Sequence, residues 1–333
     1  MKECCSGLEK EMARVNEPVG KRIASIFNTK RKPKYVYAPL SDFLSRSGKR
    51  LRPALCLLSC EAVGGGRKAA MDAAVAIELF HNFTLIHDDI EDASEMRRGV
   101  PCMHITYGLP LAINAGDGLF MMVWQEALKI GGKKSVEAQR RLLNAFTQVL
   151  EGQAIELGWY LENRWDVSED EYMEMVGGKT GALLAASCEV GGLLGGGTGR
   201  QCRALYEFGM GIGVGFQIID DALNLIGDEK RYMKEIGGDV REGKRTLIMM
   251  WALKALPKKK AARLAAILRK GKKSGVDVED AIALLKESGA PEKAVAFSDK
   301  LVMRAKKKLD CIPKGRKRDA LMALADYVVR RKR

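Results

Sequence analysis

The stretch from Ile77 to Gly99, IELFHNFTLIHDDIEDASEMRRG, constrains the fold of this chain most. An apolar run at helical spacing ends in a knot of carboxylates, and two arginines follow. Asp88 and Asp92 lie four positions apart, so on a helix they project from one face, about 6 Å apart along the axis. Asp89 stands beside them. Like charges at that spacing weaken a helix by roughly a few tenths of a kcal/mol unless a cation lies between them. Carboxylate oxygens suit hard cations such as Mg²⁺, which keep coordination places for water and phosphate oxygens. Arg97 and Arg98 are suited to bidentate phosphate binding. A charged, solvated helix end would account for either group alone. Acids to hold Mg²⁺ beside bases to hold phosphate oxygens make a diphosphate site.

The theme recurs from Gly209 to Asp228, GMGIGVGFQIIDDALNLIGD. A second apolar helical run leads into Asp220 and Asp221, with Asn224 where a repeat of the first spacing would put an acid. Gly209, Gly211, Gly213 and Gly215 mimic a dinucleotide fingerprint, but no strand precedes them and no βαβ unit is present. Small residues there let helices, or a substrate tail, approach closely. Each acid cluster alone reads as a charged helix end; two of them, each closing a long apolar helix, read as a repeated chemical device.

Further motifs join these two in order: GKRLRP at Gly48 to Pro53, RRG at Arg97 to Gly99, AINAGD at Ala112 to Asp117, KTG at Lys179 to Gly181 and GGDVREGKRTL at Gly237 to Leu247. With DDIED at Asp88 to Asp92 and DDALN at Asp220 to Asn224, the set resembles the trans-isoprenyl diphosphate synthases, the polyprenyl synthetase family. The resemblance implies an all-α fold, a single domain over residues 1–333 built as a helical bundle around a deep central cavity. It implies an enzyme that condenses isopentenyl diphosphate with allylic diphosphates. By resemblance, Lys49, Arg52, His81 and Arg98 bind the diphosphate of isopentenyl diphosphate. Arg97, Lys179, Thr180, Gln217, Lys234 and Lys244 serve the allylic diphosphate. Asp88, Asp92 and Asp220 hold about three Mg²⁺, with Mn²⁺ an acceptable substitute, and Asp89, Asp221 and Lys179 complete the catalytic set. Homodimerisation is implied in the same way. A basic C-terminus, here LADYVVRRKR, can close over the nucleophile's diphosphate in relatives, though such an end is more often a solvated tail.

The resemblance also implies that the growing tail runs beside the Ile77–Asp92 helix and that bulk upstream of Asp88 stops it. Phe83 is bulky and Thr84 small, a pattern similar to the archaeal enzymes that make the C20 product, geranylgeranyl diphosphate. Farnesyl (C15) or longer products are the alternatives. Met121, Met122 and Trp124 on the following helix are further candidates for shaping the tunnel. Phe83 also reads as plain core. GKRLRP places Lys49 before a helix and Pro53 at its first position, where anions are attracted. KTG is expected to open another helix, and Gly195 to Gly197 to form an inter-helix loop. Gln148, Gln153 and Glu156 stand on an apolar background without an assignable role.

Composition narrows the rest. Few alternating β-branched runs and many Ala, Leu, Met, Glu and Lys segments favour helices, and no Pro- or Ser-rich linker divides the chain. The net charge of +14 is uneven: residues 251–333 carry 24 Lys and Arg against 9 Asp and Glu. Few aromatics interleave with those bases, so solvated helix faces are expected rather than nucleic-acid binding. Eight cysteines show no CxxC spacing and there are only three histidines. A zinc site is therefore not expected, and reduced cytoplasmic thiols are. The first twenty residues are too charged for a signal peptide, and no apolar run long enough to span a bilayer is read. Two rival functions remain, a terpene cyclase and a non-catalytic partner subunit. The first has no use for Lys49, Arg52 and His81, and the second would be expected to lose more motif residues than Asn224.

Overall fold

The computed structural model describes residues 2–27, 31–46, 48–227 and 236–329. The chain is helical almost throughout, as its composition predicts. In order run α1 (Lys2–Ile26), α2 (Lys34–Ser45), α3 (Leu51–Ala62), α4 (Met71–Glu91), α5 (Met103–Tyr107), α6 (Leu109–Ala127), α7 (Ser135–Leu161), α8 (Glu169–Val176), α9 (Ala182–Leu194) and α10 (Gly199–Ile226). Then follow α11 (Gly238–Glu242), α12 (Leu247–Ala255), α13 (Lys258–Leu268), α14 (Gly275–Glu287), α15 (Ala290–Lys308) and α16 (Arg316–Val329). The one sheet among the described residues is a hairpin in which Met96 pairs with Pro101 and Arg97 with Val100.

Contacts gather the chain into two compact units. The first comprises Met1–Phe146, Leu183–Gly209 and Leu309–Leu324; the second comprises Thr147–Ala182, Met210–Lys308 and Ala325–Arg333. In the first unit α4 packs along α6 and against α3. Every residue from Ala73 to Phe80 is buried, so this part of α4 is enclosed on all sides, as an apolar helix without a polar face must be. The continuous helix Arg67–Glu91 is long and apolar enough to cross a membrane by length and composition, longer than the sequence reading allowed. Yet 67% of its most apolar window is buried within the protein. Gly191 of α9 lies against the Cys56 carbonyl of α3, where a Cβ would stand 2.0 Å from the oxygen.

In the second unit a core of Tyr172, Ile218, Leu225, Leu247, Trp251, Leu264, Leu285 and their neighbours joins α8, α10 and α12 to α14. Two capping boxes start its helices, Ser168 with Glu171 at α8 and Ser274 with Asp277 at α14, satisfying backbone N–H groups that the first turn leaves open. Close approach explains Gly209, Gly211, Gly213 and Gly215 of α10: a Cβ on Gly213, for one, would stand 2.8 Å from Gly181.

Candidate active site

In the first unit the acids sit where α4 ends. Asp88 and Asp89 occupy its last turn, and Asp92 caps it, donating its N–H to the Asp88 carbonyl at 2.9 Å. The helix then stops through Ala93, at φ 50°, and the Ser94 N–H returns to the Asp89 carbonyl at 2.9 Å. The hairpin turn that follows has Arg98 at φ 54° and Gly99 at φ 78°, the two positive angles of a two-residue turn matched to strand twist. The arginines are therefore carried by a hairpin rather than by a continued helix. The turn sends Arg97 back to α4, where its Nε donates to Asp89 Oδ1 at 2.5 Å and its Nη2 to Asp88 Oδ2 at 3.3 Å. The side chain of Asp89 is 1% exposed and that of Asp88 is 25% exposed. Burial raises the pKa of Asp89 against the pull of Arg97.

Around this end lies a basic cluster. Helix α3 begins at Leu51, so Pro53 is its third residue rather than its first, and Arg50 is the N-cap in the left-handed region at φ 46°. Of the four non-glycine residues with positive φ among the described residues, Arg50, Ala93 and Arg98 all belong here. Strained backbone of this kind persists where the surroundings impose it. The Lys49 carbonyl accepts from Asn16 Nδ2 at 3.1 Å. Arg98 Nη1 donates to the Arg46 carbonyl at 2.8 Å, and its guanidinium lies against Gly48. Burial, then Arg52, Arg98 and Arg97, push the pKa of His81, two turns before Asp88, well below the ordinary value.

Phe83 packs into an aromatic cluster, 5.6 Å from Phe80, 4.7 Å from His87 and 5.0 Å from Phe120 between ring centroids. Phe80 stacks on Phe146 at 3.8 Å. Thr84 turns its hydroxyl to the His81 carbonyl at 2.8 Å. Met121 is 54% exposed, whereas Met122 is buried.

In the second unit Lys179 and Thr180 do not open a helix. They lie in a π-helical turn, Gly177–Gly181, that joins α8 to α9. Such turns carry one residue more than the regular helix and are frequent at functional sites. Lys179 Nζ donates to Glu156 Oε2 of α7 at 2.5 Å, which gives the buried Glu156 a role. Thr180 Oγ1 donates to Gln217 Oε1 at 3.0 Å, and Gln217 Nε2 donates to Asp221 Oδ1 at 2.9 Å. The Tyr172 hydroxyl donates to Asp221 Oδ2 at 2.7 Å. Burial, then Asp239, lifts the pKa of Asp221 to about 7.

Asn224 is buried, its Oδ1 accepting from the Asp239 N–H at 3.1 Å and its carbonyl from the Gly237 N–H at 2.8 Å. Its amide oxygen is thus occupied in anchoring the start of α11. Lys244 reaches Asp239 at 3.2 Å and Glu242 at 3.0 Å. Burial would lower its pKa, but Asp239, Glu242 and Glu156 overcome that and raise it. The loop holding Lys244 is clamped by buried Arg245, which lies over the Tyr160 and Trp165 rings and donates to the carbonyls of Trp159, Gly243 and Arg164. Lys234 and the terminal Arg330 to Arg333 lie outside the described residues.

Among the described residues no three His, Cys, Asp or Glu side chains converge into a metal cage. Mg²⁺ binds through one or two carboxylates and completes its shell with water and substrate phosphates. Partly exposed Asp88 and the oxygen-only donors around it fit such a cation. Sequence reasoning passed over Arg50, Glu78, Phe120, Tyr172, Asp239 and Arg245. Glu78 alone carried a signal, a carboxylate inside an apolar run.

The pattern of the polyprenyl synthetase family matches residues 33–285. A short chain isoprenyl diphosphate synthase from Methanothermobacter thermautotrophicus is 40% identical over 300 residues, spanning 90% of this chain and 91% of that protein. The fold superimposes on a geranylgeranyl pyrophosphate synthetase from Pyrococcus horikoshii with a TM-score of 0.90 and 37% identity, covering 97% of this chain and 98% of the other. It also superimposes on a polyprenyl synthase from Caulobacter crescentus solved with calcium and isoprenyl diphosphate, with a TM-score of 0.88, 27% identity and coverage of 96% and 97%. With a family match over most of its length and a close relative over nine-tenths of it, this chain belongs to the polyprenyl synthetase family.

Proposed function

We propose that this protein condenses isopentenyl diphosphate head-to-tail with allylic diphosphates and stops at geranylgeranyl diphosphate. The observation that carries the reading is the set of guanidiniums, Arg52, Arg98 and Arg97, whose fields act with burial on His81, two turns before the acids at the end of α4. A reaction between two diphosphates needs such a second anion site, whereas a cyclase acting on one diphosphate does not. The relatives with geranylgeranyl and short-chain isoprenyl names support the substrate class and the C20 length.

In this reading Lys49, Arg52, His81 and Arg98 hold the diphosphate of isopentenyl diphosphate and aim its double bond. Arg97, Lys179, Thr180, Gln217, Lys234 and Lys244 hold the allylic diphosphate. As its C1–O bond breaks, the lysines and Arg97 act as fixed donors to the growing negative charge. Glu156 keeps Lys179 in place, and Asp239 with Glu242 keeps Lys244 charged. Thr180 and Gln217, locked to each other and to Asp221, present polar groups toward the developing cation. The double bond attacks C1, and a proton passes to the departing diphosphate. Holding both partners removes much of the entropic barrier. Asp88, Asp92 and Asp220 are the carboxylates assigned to Mg²⁺, which when bound neutralises diphosphate charge as a Lewis acid.

The test is incubation of the purified protein with Mg²⁺, isopentenyl diphosphate and C5, C10 or C15 allylic primers, with product length read by mass spectrometry. A C20 product is expected. Condensation to another length would keep the chemistry and move the pocket floor away from Phe83. Product from an allylic diphosphate alone would favour a cyclase. No product without an added partner protein would favour a non-catalytic subunit.

A further inference from the structure

Arg245 follows Lys244 in the chain and is 8% exposed. A buried guanidinium is costly unless carboxylates pair with it or fixed dipoles replace its water. Among the described residues no carboxylate forms an ion pair with Arg245. Its charge is met in another way. Nε donates to the Arg164 carbonyl at 3.0 Å, Nη1 to the Gly243 carbonyl at 2.7 Å and Nη2 to the Trp159 carbonyl at 3.2 Å. The centroids of the Tyr160 and Trp165 rings lie 4.6 Å and 4.2 Å from its central carbon, within the range of cation–π attraction.

Stability alone does not call for a charge here, since apolar packing fills such a place at lower cost. What the guanidinium does, and an apolar side chain cannot, is join separate segments through directed hydrogen bonds. Trp159 and Tyr160 belong to the end of α7, and Arg164 and Trp165 follow it. Gly243 closes α11 at φ 74° and lies so near that a Cβ there would stand 3.7 Å from the Trp165 ring. Lys244 sits between Gly243 and Arg245, and its own N–H donates to the Asp239 carbonyl at 2.9 Å. The backbone is therefore held before, at and after this lysine. The same end of α7 carries Glu156, whose Oε2 accepts from Lys179 and whose Oε1 accepts from the Tyr160 hydroxyl at 3.5 Å. The clamp thus refers Lys244 to the helix that places Lys179.

We propose that Arg245 is a positioning residue for the allylic diphosphate, fixing Lys244 to the end of α7 so that Lys244 and Lys179 meet one diphosphate together. This rests on the condensing function above. Lysine at this position would keep the charge but has no planar fork to span the carbonyls and lie flat between the rings.

The experiment is steady-state kinetics of Arg245→Lys, Lys244→Ala and the double variant beside the wild type, varying each substrate separately, with Tm measured for every variant. Arg245→Lys is expected to raise the allylic KM about tenfold, with KM for isopentenyl diphosphate held within about twofold. In the Lys244→Ala background the same change should alter the allylic KM by less than about twofold, because the lysine it positions is gone. An undiminished step in that background overturns the proposal. So does a loss of Tm with both KM values unchanged, or a parallel rise in both. If Arg245→Lys does not fold, Trp165→Leu, which removes the half-buried ring of the pair, takes its place in the same cycle. A smaller rise in the allylic KM that vanishes in Lys244→Ala then supports the assignment, and any other pattern overturns it. An inactive wild type overturns the condensing function itself, an outcome distinct from an active wild type with indifferent variants.

Discussion

Asp88 and Asp89 are neighbours with the same side chain and different work. Asp88 is partly open to solvent, while Asp89 is enclosed and spends Oδ1 on Arg97. Asp88→Ala should cut kcat about 10²–10³-fold with Tm nearly unchanged, since it removes charge from the chemistry and little from the core. Asp89→Ala should cost stability as well, roughly 1–3 kcal/mol in urea unfolding, because it takes from Arg97 the buried, shorter of its two carboxylate contacts; equal Tm in the two variants would contradict this division. The sequence marks both acids as important but cannot separate them, because burial depends on where the hairpin returns. The departure at Asn224 was legible as a departure, yet its reason lies in the Asp239 N–H fifteen residues on. Phe83→Ala should lengthen the product beyond C20 by opening the aromatic cluster, a shift that mass spectrometry reads directly. If Phe120 and Phe146 closed the space instead, the length would stay unchanged.

Regular elements were readable and irregular ones were not. The apolar spacing of Ile77 to Asp92 identified α4, and Gly195 to Gly197 is the loop expected after α9. The hairpin at Met96–Pro101 escaped because two paired residues per strand leave no alternation to read. The π turn at Gly177–Gly181 escaped because a single extra residue shifts the periodicity without changing the composition. The tie of α1 to α16 is equally invisible in sequence, since Lys317 meets Glu11 at 2.7 Å across most of the chain. The hydrogen bond from Arg14 first, then Lys317, holds the Glu11 carboxyl down at about 2 against the opposing effect of burial. A depressed carboxylate stabilises the folded state above its unfolded pKa and loses that contribution as pH falls through the folded one. The first unit should therefore lose stability between about pH 4.5 and about pH 2, and Glu11→Gln should flatten that slope. The contribution is about 1 kcal/mol or less, because the side chains involved are partly solvated. Urea midpoints measured across the window check it, and an identical slope in the variant would rule the tie out.

At the scale of the whole molecule, seven motifs in fixed order made the family legible. No linker marks the passage between the two units, because their boundaries fall inside α7, α9, α10 and α16 and at the end of α15. What the motifs leave out is the surface. On α6, Leu109, Ile113 and Met121, with Leu128 capping its end, are exposed, within about a third of the helix circumference at 100° per residue. On α7, Val136 and Leu143 are exposed seven residues apart, the spacing of a seam that meets another helix. Trp124 of α6 contacts Phe146 of α7 edge-on at 5.9 Å, so the two helices are packed together within the first unit. Apolar stripes of this extent on adjoining helices mark an interaction face rather than scattered surface residues. We propose a second copy of the chain as its occupant, since a stable pair needs about 800 Å² per partner and apolar, poorly charged cores serve it best. Light scattering should then give twice the 36.6 kDa of one chain. Ile113→Lys with Leu143→Lys should return it to that mass at micromolar concentration, by placing charges that a dimer would bury unpaired. Wild-type protein that stays at 36.6 kDa would leave these stripes without a second copy to cover them.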